Sequence, residues 1–350
     1  MLFRDACRLQ NRARPPVWIM RQAGRYLPEY RDLRQRHSFV EMCTAPDLAV
    51  EVSLQPYRRF GFDAVIVFYD ILFLAEAMGA PLQFTDAGPV FERPLATLAD
   101  VEALHEPDLR SADPKKGTGA ILESLRRLRA EVPPGTAVLG FAGAPFTVAS
   151  YLIEGSFQRS GERMKRALHE SPAVARRLLE RRAAATGEYL AAQVEAGADA
   201  VQLFDTWAGL LSPEDFRELA LPYEKAVFER VARTGAPAIL YVNGCPHLLG
   251  DMARSGASVL SIDWRKTLPE ARAQLGPKIG LQGNLDPAVL FASSGEVRRR
   301  VSAIVDGMRG DPGYIFNLGH GILPETPLES VEALVEAVRG SGGPGEIGPP

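Results

Sequence analysis

AGADAVQLF, residues 196–204, carries the reading of the fold. A helix ends on Gly197, a small and a polar residue follow, and then comes an apolar run of strand length. The phrase recurs as FGFDAVIVF (60–68) and SGASVLSI (255–262). Gly61, Gly197 and Gly256 are each expected in the left-handed conformation, which glycine adopts without steric cost. Helix starts are equally legible. Ser171-Pro172 and Ser212-Pro213 pair an N-cap with a proline at the first helical position. Thr44-Ala45-Pro46-Asp47 reads the same way, with an acid three residues after the cap.

Working outward, eight short runs rich in β-branched and aromatic residues alternate with these helices: PVWIM (16–20), AVIVF (64–68), AVLGF (137–141), AVQLF (200–204), AILYV (238–242), SVLSI (258–262), KIGLQ (278–282) and YIFNL (314–318). They are almost continuously apolar, as strands buried on both faces of a parallel sheet are. The pattern predicts an α/β fold, a single (β/α)8 TIM-type barrel. The alternative, a doubly wound open sheet, lacks a GxGxxG after its first strand. PLQFTDAGPVFERP (81–94) reads as a small hairpin inserted after the second strand. One domain over 1–340 is expected, with a disordered low-complexity tail over 341–350.

The chain has 350 residues, 46% hydrophobic and 24% charged, with a net charge of −3. That is a globular composition, long enough for a sizeable core. No apolar run reaches the ~18 residues of a membrane span, and the charge balance gives no field for nucleic acid. Cys7, Cys43 and Cys245 form neither a CxxC nor a disulfide framework, which fits a reducing cytoplasm. Residues 1–36 are locally basic: Arg4, Arg8, Arg12, Arg14, Arg21, Arg25, Arg31, Arg34 and Arg36 stand against Asp5, Glu29 and Asp32. An Arg-rich start invites a transit-peptide reading, but a core strand from about residue 16 leaves little to cleave. A solvated basic face and an anion site are the two remaining readings, and position decides between them.

Chemistry in a barrel gathers where strands end. The residues there are Arg21, Gln22 and Arg25 after the first run, then Tyr69 and Asp70, then Phe146 and Tyr151, then Asp205 and Thr206. Asn243, Cys245 and His247 follow the fifth run, Asp263 and Trp264 the sixth, Asn284 and Asp286 the seventh, and His320 between Gly319 and Gly321 the eighth. This set is rich in groups that receive anionic oxygens and poor in carboxylates. Arginine grips a carboxylate bidentately, so a carboxylate-bearing guest is the natural expectation. Plainer readings stand beside it. Arg21 and Arg25 can pair with Glu29 or Asp32, Asp70 and Thr206 can cap helices, and Tyr151 can be a core tyrosine. The glycines flanking His320 imply a close approach of backbone to something.

PVWIMRQAGR (16–25) and GFAGAPFTVASYLIEG (140–155) resemble the two signature segments of the uroporphyrinogen decarboxylase family, and FDTWAG (204–209) and NLGHGI (317–322) are similar to further segments of it. The resemblance covers about residues 3–340. It implies a homodimeric (β/α)8 barrel that converts uroporphyrinogen III to coproporphyrinogen III with no metal or organic cofactor, by removing four acetate carboxyls. Carried over by position, it implies Arg21 and Arg25 on substrate carboxylates and Asp70 at the pyrrole nitrogens, with Gln22, Tyr151, Thr206 and His320 as further contacts. Asp70, Arg21, Tyr151 and His320 are the catalytic candidates. Two positions depart from the pattern: Tyr69 stands where a small residue is common, and Thr206 where serine is frequent.

A pyrrole can act as its own electron sink once a ring carbon is protonated, and Asp70 is expected to offset the resulting positive charge. Tyr151 and His320 are better proton donors than arginine on intrinsic acidity. One rival is a zinc-dependent methyltransferase of corrinoids or thiols on the same barrel, with Cys245, His247 and His320 as ligands. Another is a tetrapyrrole carrier without catalysis.

Overall fold

Strand β1 (Ala64–Ile66) leads into the hairpin β2 (Leu82–Thr85) and β3 (Gly88–Phe91), and then into β4 (Ala137–Gly143), β5 (Ala200–Phe204), β6 (Ala238–Tyr241), β7 (Val259–Ser261), β8 (Gly280–Leu285) and β9 (Tyr314–Leu318). In this computed structural model, which describes residues 1–85, 88–113, 117–156 and 161–341, the sheet order β1-β4-β5-β6-β7-β8-β9 follows the chain. All its pairings are parallel, with helices in the crossovers. The strands are apolar because helices cover one face and the barrel interior the other; β4, β8 and β9 are buried along their whole lengths. Each buried Val, Leu or Phe contributes roughly 1.5–3 kcal/mol relative to exposure.

The first run closes the sheet into a barrel with a single bridge in place of a full strand. Val17 bridges Phe316 in parallel, and the Phe316 amide donates to Pro16 O at 2.9 Å. On the other side the Asp63 amide donates to Val17 O at 2.9 Å. The Asp63 carboxylate secures this seam. Its Oδ2 accepts the Val17 amide at 2.7 Å, and Arg14 grips both its oxygens at 2.8 Å.

The recurring phrase therefore encodes a stitch. Asp199, in the position equivalent to Asp63, accepts the Val138 amide at 2.9 Å and pairs with Arg129 at 2.6 Å. In the third copy Ser258 accepts the Ala238 amide at 3.4 Å. A polar side chain one residue before each strand thus ties that strand to the neighbouring one. The preceding glycines have the expected positive φ, 66°, 112° and 93° at Gly61, Gly197 and Gly256.

Inside the barrel, Trp18 Nε1 donates to Gln282 Oε1 at 2.9 Å, and Gln282 Nε2 donates to Gln202 Oε1 and Ser261 Oγ. Such pairing offsets the desolvation of buried polar groups. The hairpin lies where expected, antiparallel from Leu82↔Phe91 to Thr85↔Gly88, and its Phe84 packs on Phe39 and Phe73. Ser212 caps its helix through the Asp215 amide. The cap expected at Thr44 is instead Ala45. Thr44 ends the preceding helix, its hydroxyl donating to Val40 O, and Pro46 opens the next. Among the described residues no helix is long and apolar enough to cross a membrane. The expected disordered tail lies outside the described residues beyond Ser341.

Candidate active site at the barrel mouth

The turn that follows the bridging run sets the site. Gln22 Oε1 accepts the Ile19 amide and Gln22 Nε2 donates to Ala64 O. Gln22 is thus fully buried with its amide bonded into the wall. Gln22, expected as a substrate contact, shapes the turn through these two bonds. Between these anchors Arg21 takes a left-handed backbone with φ of 62°, a conformation that costs a non-glycine residue about 1 kcal/mol or more. Met20 is pinned on both sides, its amide on Asn317 Oδ1 and its carbonyl on the Ile322 amide.

Arg21, Arg25, Asp70, Thr206 and His320 line one cleft. Phe39, Phe68, Phe141 and Phe204 supply much of its apolar wall. Several other arginines of the basic N-terminal segment are engaged elsewhere. Arg14 holds the seam, Arg4 faces Asp199, and Arg31 and Arg34 donate to carbonyls. One of the two plainer partners for Arg21 and Arg25 is also taken, because Glu29 pairs with Arg59. Arg25 donates to Ile322 O at 3.2 Å, and burial followed by the nearby Arg21 brings its guanidinium down to about 10.

Asp70 does two things at once. Its Oδ1 accepts the Leu72 amide at 2.9 Å, the local cap foreseen as an alternative, while the residue also lines the cleft. Burial raises its pKa from the ordinary carboxyl value, opposed by the Leu72 amide and by Arg21. Tyr151 is half-buried, with its ring centroid 4.6 Å from that of Trp207. Burial and then the charge of Asp70 push its hydroxyl up to about 12, against Arg21. His320 Nδ1 accepts the Gly321 amide at 2.6 Å, which assigns the ring proton to Nε2. Burial, then Arg21, Arg25 and Arg265, bring His320 down to about 4. His320 is therefore neutral at pH 7 and offers Nε2–H as a hydrogen-bond donor; the Tyr151 hydroxyl is a weaker acid here than in water, and almost no His320 imidazolium is present to give up a proton.

The glycines around His320 are explained by what they approach. A Cβ on Gly319 would meet the Trp264 amide nitrogen at 2.8 Å, and one on Gly321 would meet Arg21 Cδ at 2.6 Å. Tyr69, the departure beside Asp70, stacks on Phe141 at 4.0 Å, and its hydroxyl accepts from Gln193 at 3.2 Å. Its polar end thus belongs to the sheet–helix interface.

Sequence reading missed the support beneath Thr206. Asp205 Oδ1 accepts the Thr147 hydroxyl at 2.6 Å and the Thr147 amide at 3.1 Å, and Thr147 Oγ1 accepts the Trp207 amide at 3.0 Å. The fully buried Glu224 sits against Asp205, whose Oδ2, like both Glu224 oxygens, has no other partner among the described residues, and burial raises both carboxyls. Two carboxyls in contact hold together only by sharing a proton. No motif marked Glu224, because it sits in the first turn of the helix Leu221–Ala232, 19 residues beyond Asp205.

The zinc ligand set does not assemble. His247 Nε2 is engaged with Leu211 O at 2.9 Å, and among the described residues no three His, Cys, Asp or Glu side chains cluster as a metal site.

Comparison with known proteins places this geometry. The family described as Uroporphyrinogen decarboxylase matches residues 1–341. The uroporphyrinogen decarboxylase of Carboxydothermus hydrogenoformans is 45% identical over 338 residues, 96% of this chain and 95% of that one. That of Gloeobacter violaceus is 45% identical over 341 residues, covering 97% and 96%. Among solved structures, a methyltransferase from Methanosarcina mazei superposes with a TM-score of 0.79 at 24% identity, over 96% of both chains. A B12-independent methionine synthase from Shewanella gives 0.55 at 12% identity, over 84% and 85%. At these identities the two structures speak for the shared fold alone.

Proposed function

The chain belongs to the uroporphyrinogen decarboxylase family, and from that membership we propose how its cleft works as a carboxy-lyase. The enzyme removes the four acetate carboxyls of uroporphyrinogen III as CO2 and leaves coproporphyrinogen III, a step of heme biosynthesis. The observation that carries this reading is the convergence of Arg21, Arg25 and Asp70 on one cleft.

The substrate presents carboxylates around its rim and pyrrole N–H groups toward its centre. Arg21 and Arg25 take carboxylates, each charge-assisted bond contributing roughly 1.5–3 kcal/mol. Asp70 accepts from pyrrole N–H groups. Each cycle begins with protonation of the ring carbon next to the acetate-bearing one. The ring becomes a cation, the bond between methylene and carboxylate breaks, and its electron pair neutralises the ring as CO2 leaves. The exocyclic methylene then takes a proton to become methyl, and loss of the first proton restores the pyrrole. The net change is one proton consumed per CO2 released. Asp70 stabilises the cation, and its placement in a largely apolar cleft makes that stabilisation strong. Thr206 and the neutral His320 add hydrogen bonds to substrate oxygens, and Tyr151 closes the wall beside Asp70.

The decisive experiment is anaerobic incubation with uroporphyrinogen. Stepwise appearance of heptacarboxylate through tetracarboxylate products supports the reading; binding without product formation leaves a carrier and overturns it. The same reading carries a homodimer, to be checked by sedimentation. It also carries a cytoplasmic location, in keeping with three cysteines that are all free and buried.

A further inference from the structure

Beyond Arg21 and Arg25, a third guanidinium stands at the mouth, on the loop after β7. Arg265 Nη1 donates to Asp263 Oδ2 at 2.8 Å and to Asn243 Oδ1 at 3.4 Å, and the Arg265 amide donates to Asp263 Oδ1 at 2.9 Å. Its guanidinium carbon lies 4.7 Å from the Trp264 ring centroid. Asp263 is fully buried and also accepts the Gly244 amide. The arginine is thus anchored at one nitrogen by a fixed carboxylate and braced by an indole. Its side chain nevertheless remains 47% exposed, and among the described residues no acceptor engages Nε or Nη2.

The placement matters as much as the anchoring. The loop carrying Arg265 packs against the loop carrying His320, with Gly319 too close to Trp264 to admit a side chain. The charge of Arg265 is felt at His320 together with those of Arg21 and Arg25. Arg21 lies against Gly321, at the other end of the same Gly-His-Gly segment. Guanidiniums therefore flank His320 from two sides. An arginine held by one nitrogen and open at the others is organised to receive a planar anion.

We propose that Arg265 is a further substrate-binding residue, taking a peripheral carboxylate of the macrocycle across the His320 loop from Arg21. The inference rests on the decarboxylase reading and deepens it. It assigns a rim subsite that holds a carboxylate not undergoing cleavage while Arg21, Arg25 and Asp70 serve the reacting pyrrole.

The test is steady-state anaerobic turnover of uroporphyrinogen by the full chain. Wild type is compared with Arg265→Gln, Arg265→Lys and Arg309→Gln, the last a surface charge control ahead of β9 at the opposite end of the barrel. The KM of Arg265→Gln is expected to rise about five- to tenfold with a much smaller change in kcat. Arg265→Lys is expected to recover part of that loss, and the control to match wild type. An unchanged KM in Arg265→Gln overturns the proposal. So does an equal rise in the control, or a fall in kcat at constant KM. If Arg265→Gln does not fold, Arg265→Lys decides: a KM raised at least about twofold supports the subsite, and an unchanged one overturns it. Wild-type protein that releases no CO2 is a different result, which overturns the decarboxylase reading and this inference with it.

Discussion

Gly321 and Arg21 are in such close contact that a Cβ on the glycine would come within 2.6 Å of the arginine's Cδ. The eighth strand's loop is therefore the surface on which the first strand's arginine rests. In Gly321→Ala the arginine must move, because the neighbouring backbone is pinned at Met20 and Ile322. We expect kcat/KM to fall about 10- to 100-fold, with a lowered melting temperature as well, since the contact runs along the arginine's stem, Cδ, Cγ and Cβ, rather than its tip.

Asp70→Asn keeps an oxygen for the Leu72 amide and removes the charge that faces the ring. The rate should fall about 10²- to 10³-fold, the cost of losing one preorganised electrostatic partner, while substrate affinity falls much less. Single-turnover measurement at saturating substrate separates the two. Turnover at the wild-type rate removes Asp70 from the mechanism.

Arg14 and Asp63 are largely buried, at 17% and 13% side-chain exposure, and together they secure the barrel seam. Truncation of Asp63 removes the carboxylate that grips Arg14 and accepts the Val17 amide, so Asp63→Ala should lose about 2–4 kcal/mol in urea unfolding. Because the seam lies at the strand starts, the folded variant should still turn over substrate.

The Asp205–Glu224 pair gives a stability signature with a definite sign. Burial raises Asp205 to about 6 and Glu224 well above its usual value, so the folded state holds a proton that the unfolded chain has released. Stability from this pair is complete below the unfolded carboxyl range and declines as pH rises through about 6 and beyond. Glu224→Gln replaces the shared proton with a permanent donor. Between pH 5 and 8, its melting temperature should fall less steeply with pH than that of wild type.

His320 gives the opposite slope. Its folded value near 4 means the unfolded chain binds the extra proton between about 4 and the usual histidine range near 6.5. Its contribution to stability therefore grows as pH rises through that window. An NMR titration of the His320 ring should find its midpoint near 4, and no loss of activity between pH 6 and 7 should trace to it. A midpoint above 6 contradicts the neutral-donor role.

The barrel was legible because each β run in it is apolar on both faces, and the mouth because chemistry-bearing residues follow those runs directly. Arg21, Arg25, Asp70, Thr206 and His320 come within reach of one cleft on that logic alone. Gln22, a polar residue between two arginines, looks like part of their site in the sequence; only the fold shows its amide bonded to Ile19 and Ala64. Arg265 follows Asp263 and Trp264 by a single residue, and its orientation depends on which loop Trp264 packs against. Glu224 and Thr147 sit inside helices, where no local pattern distinguishes a carboxyl that will meet Asp205 from one facing solvent. The acids of the recurring phrase, Asp63 and Asp199, were visible as sequence and opaque as function, since their partner amides lie 46 and 61 residues away.

Because those acids fasten the strands where they begin, and Arg21 is held in its left-handed bend by loops where the strands end, the two ends of the molecule need not fail together. Mild heating that lets the Gly-His-Gly segment drift would silence the enzyme while its stitched base stays closed, so thermal inactivation should precede loss of helical signal and reverse on cooling.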